Sequence, residues 1–313
     1  MVAQLLAPQQ NMQLQLNPDL AIEYGQLVQA AYANPAGPNI PALYDPLGRN
    51  YVIAGTIYGN DLATDINPLR AQTIVPFGFV LQDAQNNVVI AIRGTEGIWE
   101  WLHDGAFFQV TCPFVAGAGN TEDGFTAIYQ SLTMGNAAGA QRVVDALAGL
   151  PLVQPVRSLT ICGHSLGAAL ATLLAVDLAA NKAVQNLTVY TYASPRTGDP
   201  LFANTYNQLV PNTFRLANQL DLVPQLPLAL PLPPLPNYQH VNTSFPLNPH
   251  GAVTMTIPCE HILTTYLYLL SQLPGRTVPA QSLSPACSPA GAPGLLNPPA
   301  GAAVQGLPSP GGP

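Results

Sequence analysis

An α/β fold with a mostly parallel central sheet is predicted by three observations. Short apolar runs alternate along the chain with longer helical patterns. The run VVIAIR at 88–93 is continuously apolar up to Arg93, as a strand covered on both faces should be. A second apolar run, 158–162, leads directly into an Ala/Leu-rich helical segment, 166–180.

The elements follow in order. Asn17-Pro18-Asp19 is a helix start, and Leu20, Ile22, Tyr24, Leu27, Val28 and Ala31 continue a helical pattern to about Ala33. After the turn-rich stretch 35–46 come β-like runs at 51–58, 77–82 and 88–93. Two helical segments occupy 122–133 and 137–148, and further strands are expected at 187–192 and 213–216. A last helix is expected over 260–273. Beyond Pro274 the chain is rich in Pro, Gly, Ala and Ser with one charge, Arg276. The division is thus a catalytic domain at 1–273 and a disordered or loosely packed tail at 274–313. The stretch 224–236, PQLPLALPLPPLP, is leucine-rich as well as proline-rich, and is expected to lie over the domain as an extended apolar loop. No internal repeat is visible.

Composition narrows the function. Of 313 residues 48% are hydrophobic and 8% charged, and the net charge is −7. Lys182 is the single lysine and the arginines are dispersed, so no basic face exists to displace nucleic-acid counterions. No stretch has the length of about 20 apolar residues that a membrane helix needs. The N-terminal stretch lacks the basic start, apolar segment and cleavage site of a signal peptide. The chain is either cytoplasmic or secreted with its signal absent from this sequence, and secretion is favoured. Cys112, Cys162, Cys259 and Cys287 lack metal-type spacing. Cys162 reads as a buried thiol, and Cys112 with Cys259 is the candidate disulfide of a secreted chain.

Gly163-His164-Ser165-Leu166-Gly167 is a G-x-S-x-G pattern with a strand before it and a helix after it, the context of a nucleophile elbow. The glycines leave room for the strand and helix to approach. Leu166 N–H then stands at a helix N-terminus, where partial positive charge favours an oxyanion. Such a serine needs a base, and the elbow order is Ser, then Asp or Glu, then His. His164 cannot turn back to its neighbour's hydroxyl. Asp177 lies about 18 Å down the same helix at 1.5 Å per residue. Glu260 adjoins His261 and could hardly orient it. Asp199 and Asp221, with His240, His250 and His261, remain open on spacing alone.

The chain resembles the class 3 lipases, the fungal-lipase-like α/β-hydrolases, in several stretches that follow the family's order over about residues 18–272. These are Ile92-Arg93-Gly94-Thr95 with Trp101 and Asp104, and Asp123-Gly124-Phe125, where Glu122 replaces the His of many members. The GHSLG elbow and Ala193-Ser194-Pro195-Arg196-Thr197-Gly198-Asp199 come next. Then come Asn218-Gln219-Leu220-Asp221-Leu222-Val223-Pro224-Gln225-Leu226-Pro227 with Tyr238-Gln239-His240-Val241, and His261 with Tyr266 and Leu267.

This resemblance implies an α/β-hydrolase fold with a short lid. It selects Ser165 as nucleophile, Asp221 as orienting acid and His261 as base, with Thr95 and Leu166 as oxyanion donors. His240 falls close to the site without being the base. Glu96, Ile98, Trp99 and Trp101 match the lid, whose pattern of apolar and acidic residues suits an amphipathic cover. With His164, Leu222, Val223 and His240 they are the candidates around the substrate. Arg93 and Arg196 are expected to be structural. The expected activity is carboxylic-ester hydrolysis, foremost that of a triacylglycerol lipase acting on a lipid or other apolar ester at a lipid–water interface. Phospholipase A1, feruloyl esterase, transacylase or thioesterase activity, and a non-catalytic lipase-like binding domain, are the alternatives. No metal or cofactor is implied.

Overall fold

A computed structural model describes residues 14–33, 40–60, 73–95, 107–182, 184–229, 236–249 and 251–289. In chain order the strands are β1 (Val52–Asn60), β2 (Ile74–Gln82), β3 (Asn87–Ile92), β4 (Gln109–Thr111), β5 (Asn120–Glu122), β6 (Thr133–Met134), β7 (Ser158–His164), β8 (Leu187–Tyr192), β9 (Thr213–Asn218) and β10 (Ser244–Leu247). Eight of them form one sheet in the order β10-β9-β8-β7-β3-β2-β1-β6, while β4 and β5 pair separately. From β3 through β10 all neighbours in this sheet are parallel; β2, β1 and β6 continue it antiparallel.

The unbroken apolar runs are explained by covering on both faces. Val88, Ile90 and Ile92 of β3 enter one hydrophobic cluster, and Val89 and Ala91 enter the other. The first cluster packs the sheet against α2 (Asp123–Ser131), α4 (Leu166–Asn181) and α5 (Pro200–Leu209). The second packs it against α1 (Pro18–Ala33) and α7 (Leu263–Ser271). Every residue of α4 from Leu166 to Leu178 is buried, which accounts for its lack of a polar stripe. Each fully buried Leu or Ile contributes about 1.5–3 kcal/mol. The start of α1 is capped by Asn17, whose Oδ1 accepts from Asp19 N–H at 3.0 Å and Leu20 N–H at 3.2 Å.

Several expectations change. The helix expected over 137–148 contracts to α3 (Val143–Ala146) and a 3₁₀ turn, Leu147–Gly149. Gly135 and Gly139, both at positive φ, turn the chain before it, and Thr133–Met134 pairs with β1 instead. The helix expected over 260–273 is two helices, α6 (Ile257–His261) and α7, separated at Ile262, whose ψ of 138° is extended. The helix α5 and the strand β10 were not anticipated, although Asp199-Pro200 is a helix-start signal.

Cys259 pairs with Cys287, not with Cys112, because residues 274–289 pack against the domain and carry Cys287 to α6. Cys112 and Cys162 are free, buried thiols. Val278 and Cys287 belong to the second cluster. Residues 290–313 lie outside the described residues. Among the described residues no helix is long and apolar enough to cross a membrane.

Candidate active site

Ser165 ends β7 and begins α4 with φ 59° and ψ −126°. That conformation costs a non-glycine residue about 1–3 kcal/mol and persists only where its surroundings hold it. Ser165 N–H donates to Tyr192 O at 2.9 Å, and Ser165 O accepts from Ala168 N–H at 2.9 Å. The two elbow glycines are required by space. A Cβ on Gly163 would stand 2.1 Å from Gly167 O, and one on Gly167 would stand 2.4 Å from Ile92 O.

The fold brings Ser165, His261 and Asp221 together across 96 residues of sequence. His261 Nε2 lies 2.9 Å from Ser165 Oγ. Its Nδ1 lies 2.9 Å from Asp221 Oδ2. A carboxylate only accepts, so the Nδ1 proton faces Asp221 and the Nε2 lone pair faces the serine hydroxyl. All three side chains are buried. Asp221 is itself fixed: Oδ2 accepts from Tyr266 O–H at 2.7 Å and Oδ1 from Val223 N–H at 2.9 Å. Tyr266 O–H in turn accepts from Asn218 N–H at 3.1 Å.

His164 links the elbow to two other elements. Its Nε2 donates to His261 O at 2.8 Å, because a carbonyl can only accept. Its Nδ1 then accepts from Tyr32 O–H at 2.9 Å, and Tyr32 Oη accepts from Gly94 N–H at 2.8 Å. Burial, and after it the neighbouring His261, hold His164 well below the ordinary histidine range, so the ring is neutral and this tautomer is fixed. Gly94 adjoins the serine, since a Cβ on it would lie 3.1 Å from Ser165 Cβ. Thr95, the next residue, is buried. Leu166 N–H belongs to the first turn of α4, where N–H groups have no partner within the helix. An oxygen developing charge beside Ser165 would lie at this helix N-terminus, where partial positive charge favours it.

The other candidates separate. Asp199 caps α5, with Oδ1 accepting from Phe202 N–H at 2.7 Å and Oδ2 from Asn120 N–H at 3.0 Å. His240 Nε2 donates to Pro224 O at 2.6 Å, and burial, with Arg215 and Arg196 beside it, pushes its pKa down to about 3. Neither is in contact with the serine. Arg93 donates to Pro76 O and Gly94 O, and Arg196 to Gln225 O and Pro227 O, so both bind carbonyls. Val223 is buried, whereas Leu222 beside Asp221 is exposed. Glu96, Ile98, Trp99 and Trp101, with the rest of 96–106, lie outside the described residues, as do His250 and 230–235. Sequence patterns carried no signal for Tyr32. Asn218, three residues before Asp221, lies in a stretch that carries the family resemblance, but its role depends on a carbonyl in a distant helix and no pattern assigned it.

A mostly parallel sheet with a serine elbow at its centre, flanked by helices on both faces, defines an α/β-hydrolase fold. Residues 89–230 match the family described as Lipase (class 3). The chain is 30% identical over 185 residues to the secreted mono- and diacylglycerol lipase 1 of Fusarium solani, covering 58% of this chain and 51% of that one. It is 32% identical over 160 residues to phospholipase A1-II 4 of Oryza sativa subsp. japonica, covering 46% and 40%. The aligned part of the chain thus spans about half the length of these relatives or less. The Rhizomucor miehei lipase propeptide complex shares the fold, with a TM-score of 0.55 at 23% identity over 79% of this chain and 76% of that one.

Proposed function

We propose that this protein is a serine carboxylic-ester hydrolase acting on acylglycerols, a lipase in activity. The observation that carries the proposal is the hydrogen-bonded chain from Ser165 Oγ through His261 to Asp221, at 2.9 Å on each side of the ring. Ser165 attacks the ester carbonyl while His261 Nε2 takes its proton. Asp221 keeps the Nδ1 proton in place and stabilises the imidazolium that forms. The tetrahedral oxyanion is held by N–H groups of Thr95 and Leu166. The alcohol leaves with the proton from His261. Water, deprotonated by the same ring, then frees the acid and restores Ser165. The alcohol is the glycerol side of the ester and the acid is the fatty acid.

The name of the Fusarium relative favours acylglycerols and secretion. The rice relative's name keeps phospholipid as the second substrate to examine. Apolar side chains near the triad, the exposed Leu222, Ile257 and Ile262, suit an apolar ester met at a lipid–water interface.

Two measurements test this. Ser165→Ala should lower kcat on the order of 10⁶-fold, and a variant that keeps most of its rate refutes the mechanism. A panel of p-nitrophenyl esters, triglyceride emulsion, phospholipid and methyl ferulate, run above and below solubility, should show the fastest turnover on emulsified glyceride. Hydrolysis of short soluble esters alone would leave an esterase and remove the lipase.

A further inference from the structure

His261 stands at the end of α6, a five-residue helix, far below the length that is stable alone. The segment before it has little hold on the core: Met255 is 74% exposed and Ile257 45%, and Pro258 is also exposed. Among the side chains of 255–259, Cys259 alone is buried, and it is bonded to Cys287. Thr254 N–H donates to Cys287 O at 2.9 Å, a second tie to the same residue.

The stretch that delivers Cys287 is fastened at its other end to α1. Asp19 accepts from Thr277 N–H at 2.8 Å and Val278 N–H at 3.1 Å, as well as from the Thr277 hydroxyl. Gln26 Nε2 donates to Gln281 Oε1 at 2.7 Å. On its inner side α6 is gripped through three successive carbonyls. Cys259 O accepts from the Thr265 hydroxyl at 2.6 Å, Glu260 O from Asn218 Nδ2 at 2.8 Å and His261 O from His164 Nε2 at 2.8 Å.

We propose that residues 274–288, locked by Cys259–Cys287, are a positioning strap for the general base: they press α6 onto these three donors, so that His261 meets Ser165 and Asp221 together. This rests on the role given to His261 above. A strap that served only global stability would have no reason to end within two residues of the base, on the one buried side chain of 255–259. The inner donors hold the turn through its carbonyls, and the strap adds a covalent restraint from the other side.

The test uses the full chain. In Cys259→Ala/Cys287→Ala, assayed with p-nitrophenyl butyrate well below its melting temperature, kcat should fall about tenfold or more while KM moves less than about twofold, as a displaced base demands. Fluorophosphonate labelling of Ser165 should slow by a similar factor, and hydrogen exchange of amides 257–262 should accelerate. Asp19→Asn, which loosens the far end of the strap, should act in the same direction with a smaller factor. A folded double variant with the parent's kcat and unchanged exchange at 257–262 overturns the proposal. If that variant does not fold, Asp19→Asn decides the matter by the same two readouts. A parent chain that neither hydrolyses esters nor labels at Ser165 refutes the assigned chemistry instead, and exchange at 257–262 still decides whether the strap restrains the turn.

Discussion

The two halves of the proposed reacting pair are held in opposite ways. Ser165 is presented by its own neighbourhood: it is the single residue between β7 and α4, with Gly163 and Gly167 in near contact. Its strain is absorbed within that unit and the sheet beside it. His261 is presented by others. Its five-residue helix is retained by side chains of Asn218, His164 and Thr265 and by a disulfide to a stretch near residue 287. A nucleophile under local strain needs a rigid, continuous scaffold. A base on a short turn tolerates distant supports, but is correspondingly easier to displace from outside.

On the base side the largest effect is expected at Asp221. Asp221→Asn would turn an amide donor toward His261 Nδ1 and Tyr266, which favours the tautomer with the proton on Nε2. Steady-state kcat should fall about 10⁴-fold, with Ser165 and the elbow undisturbed. An unchanged rate would mean that Asp221 does not orient the ring.

Next in size is the disulfide. Closing a loop of 28 residues contributes about 3–4 kcal/mol through the unfolded chain. Chemical denaturation of Cys259→Ala/Cys287→Ala should register a loss of that order. A loss without any change in kcat would mark the bond as a staple only and weaken the contrast between the two regions.

Glu122 lies in neither region and separates stability from positioning. Burial pushes its carboxyl up from 4.5 to about 7, against N–H donation from Phe125 and Gly124. Between those pH values the folded chain keeps a proton that the unfolded chain has lost. This stabilisation is full below pH 4.5 and is lost as pH rises through about 7, at most about 3 kcal/mol. Glu122→Gln keeps an acceptor for Phe125 N–H and should flatten the fall in stability with pH. The pH dependence of kcat should not move with it.

The smallest change is Asn218→Ala, which leaves Glu260 O without its donor and should cost about 1–3 kcal/mol. If the turn is held as described, kcat should fall while labelling of the free elbow by a small phosphonylating agent slows in parallel. A stability loss with an intact rate would assign Asn218 to packing alone.

How much could be read beforehand follows the same division. The central strands and α4 were legible because burial on both faces leaves an unmixed apolar pattern that no loop has. Ser165 was legible because the elbow is a contiguous steric device. Asp221 and His261 were open to rivals in Asp199 and His240 until family resemblance chose. The rivals differ only in what they touch: Asp199 ends as a helix cap and His240 as a donor to Pro224 O. The break at Ile262, the Cys259–Cys287 pairing and the packing of 274–289 had no local pattern at all.

By itself, then, the sequence determined the layered α/β architecture and the strained serine, since periodicity and steric room act over a few residues. Only the tertiary structure decided what holds the acid and the histidine beside that serine. Those supports are hydrogen bonds and one covalent bond between segments far apart in the chain, and their geometry exists only once the sheet has brought the segments together.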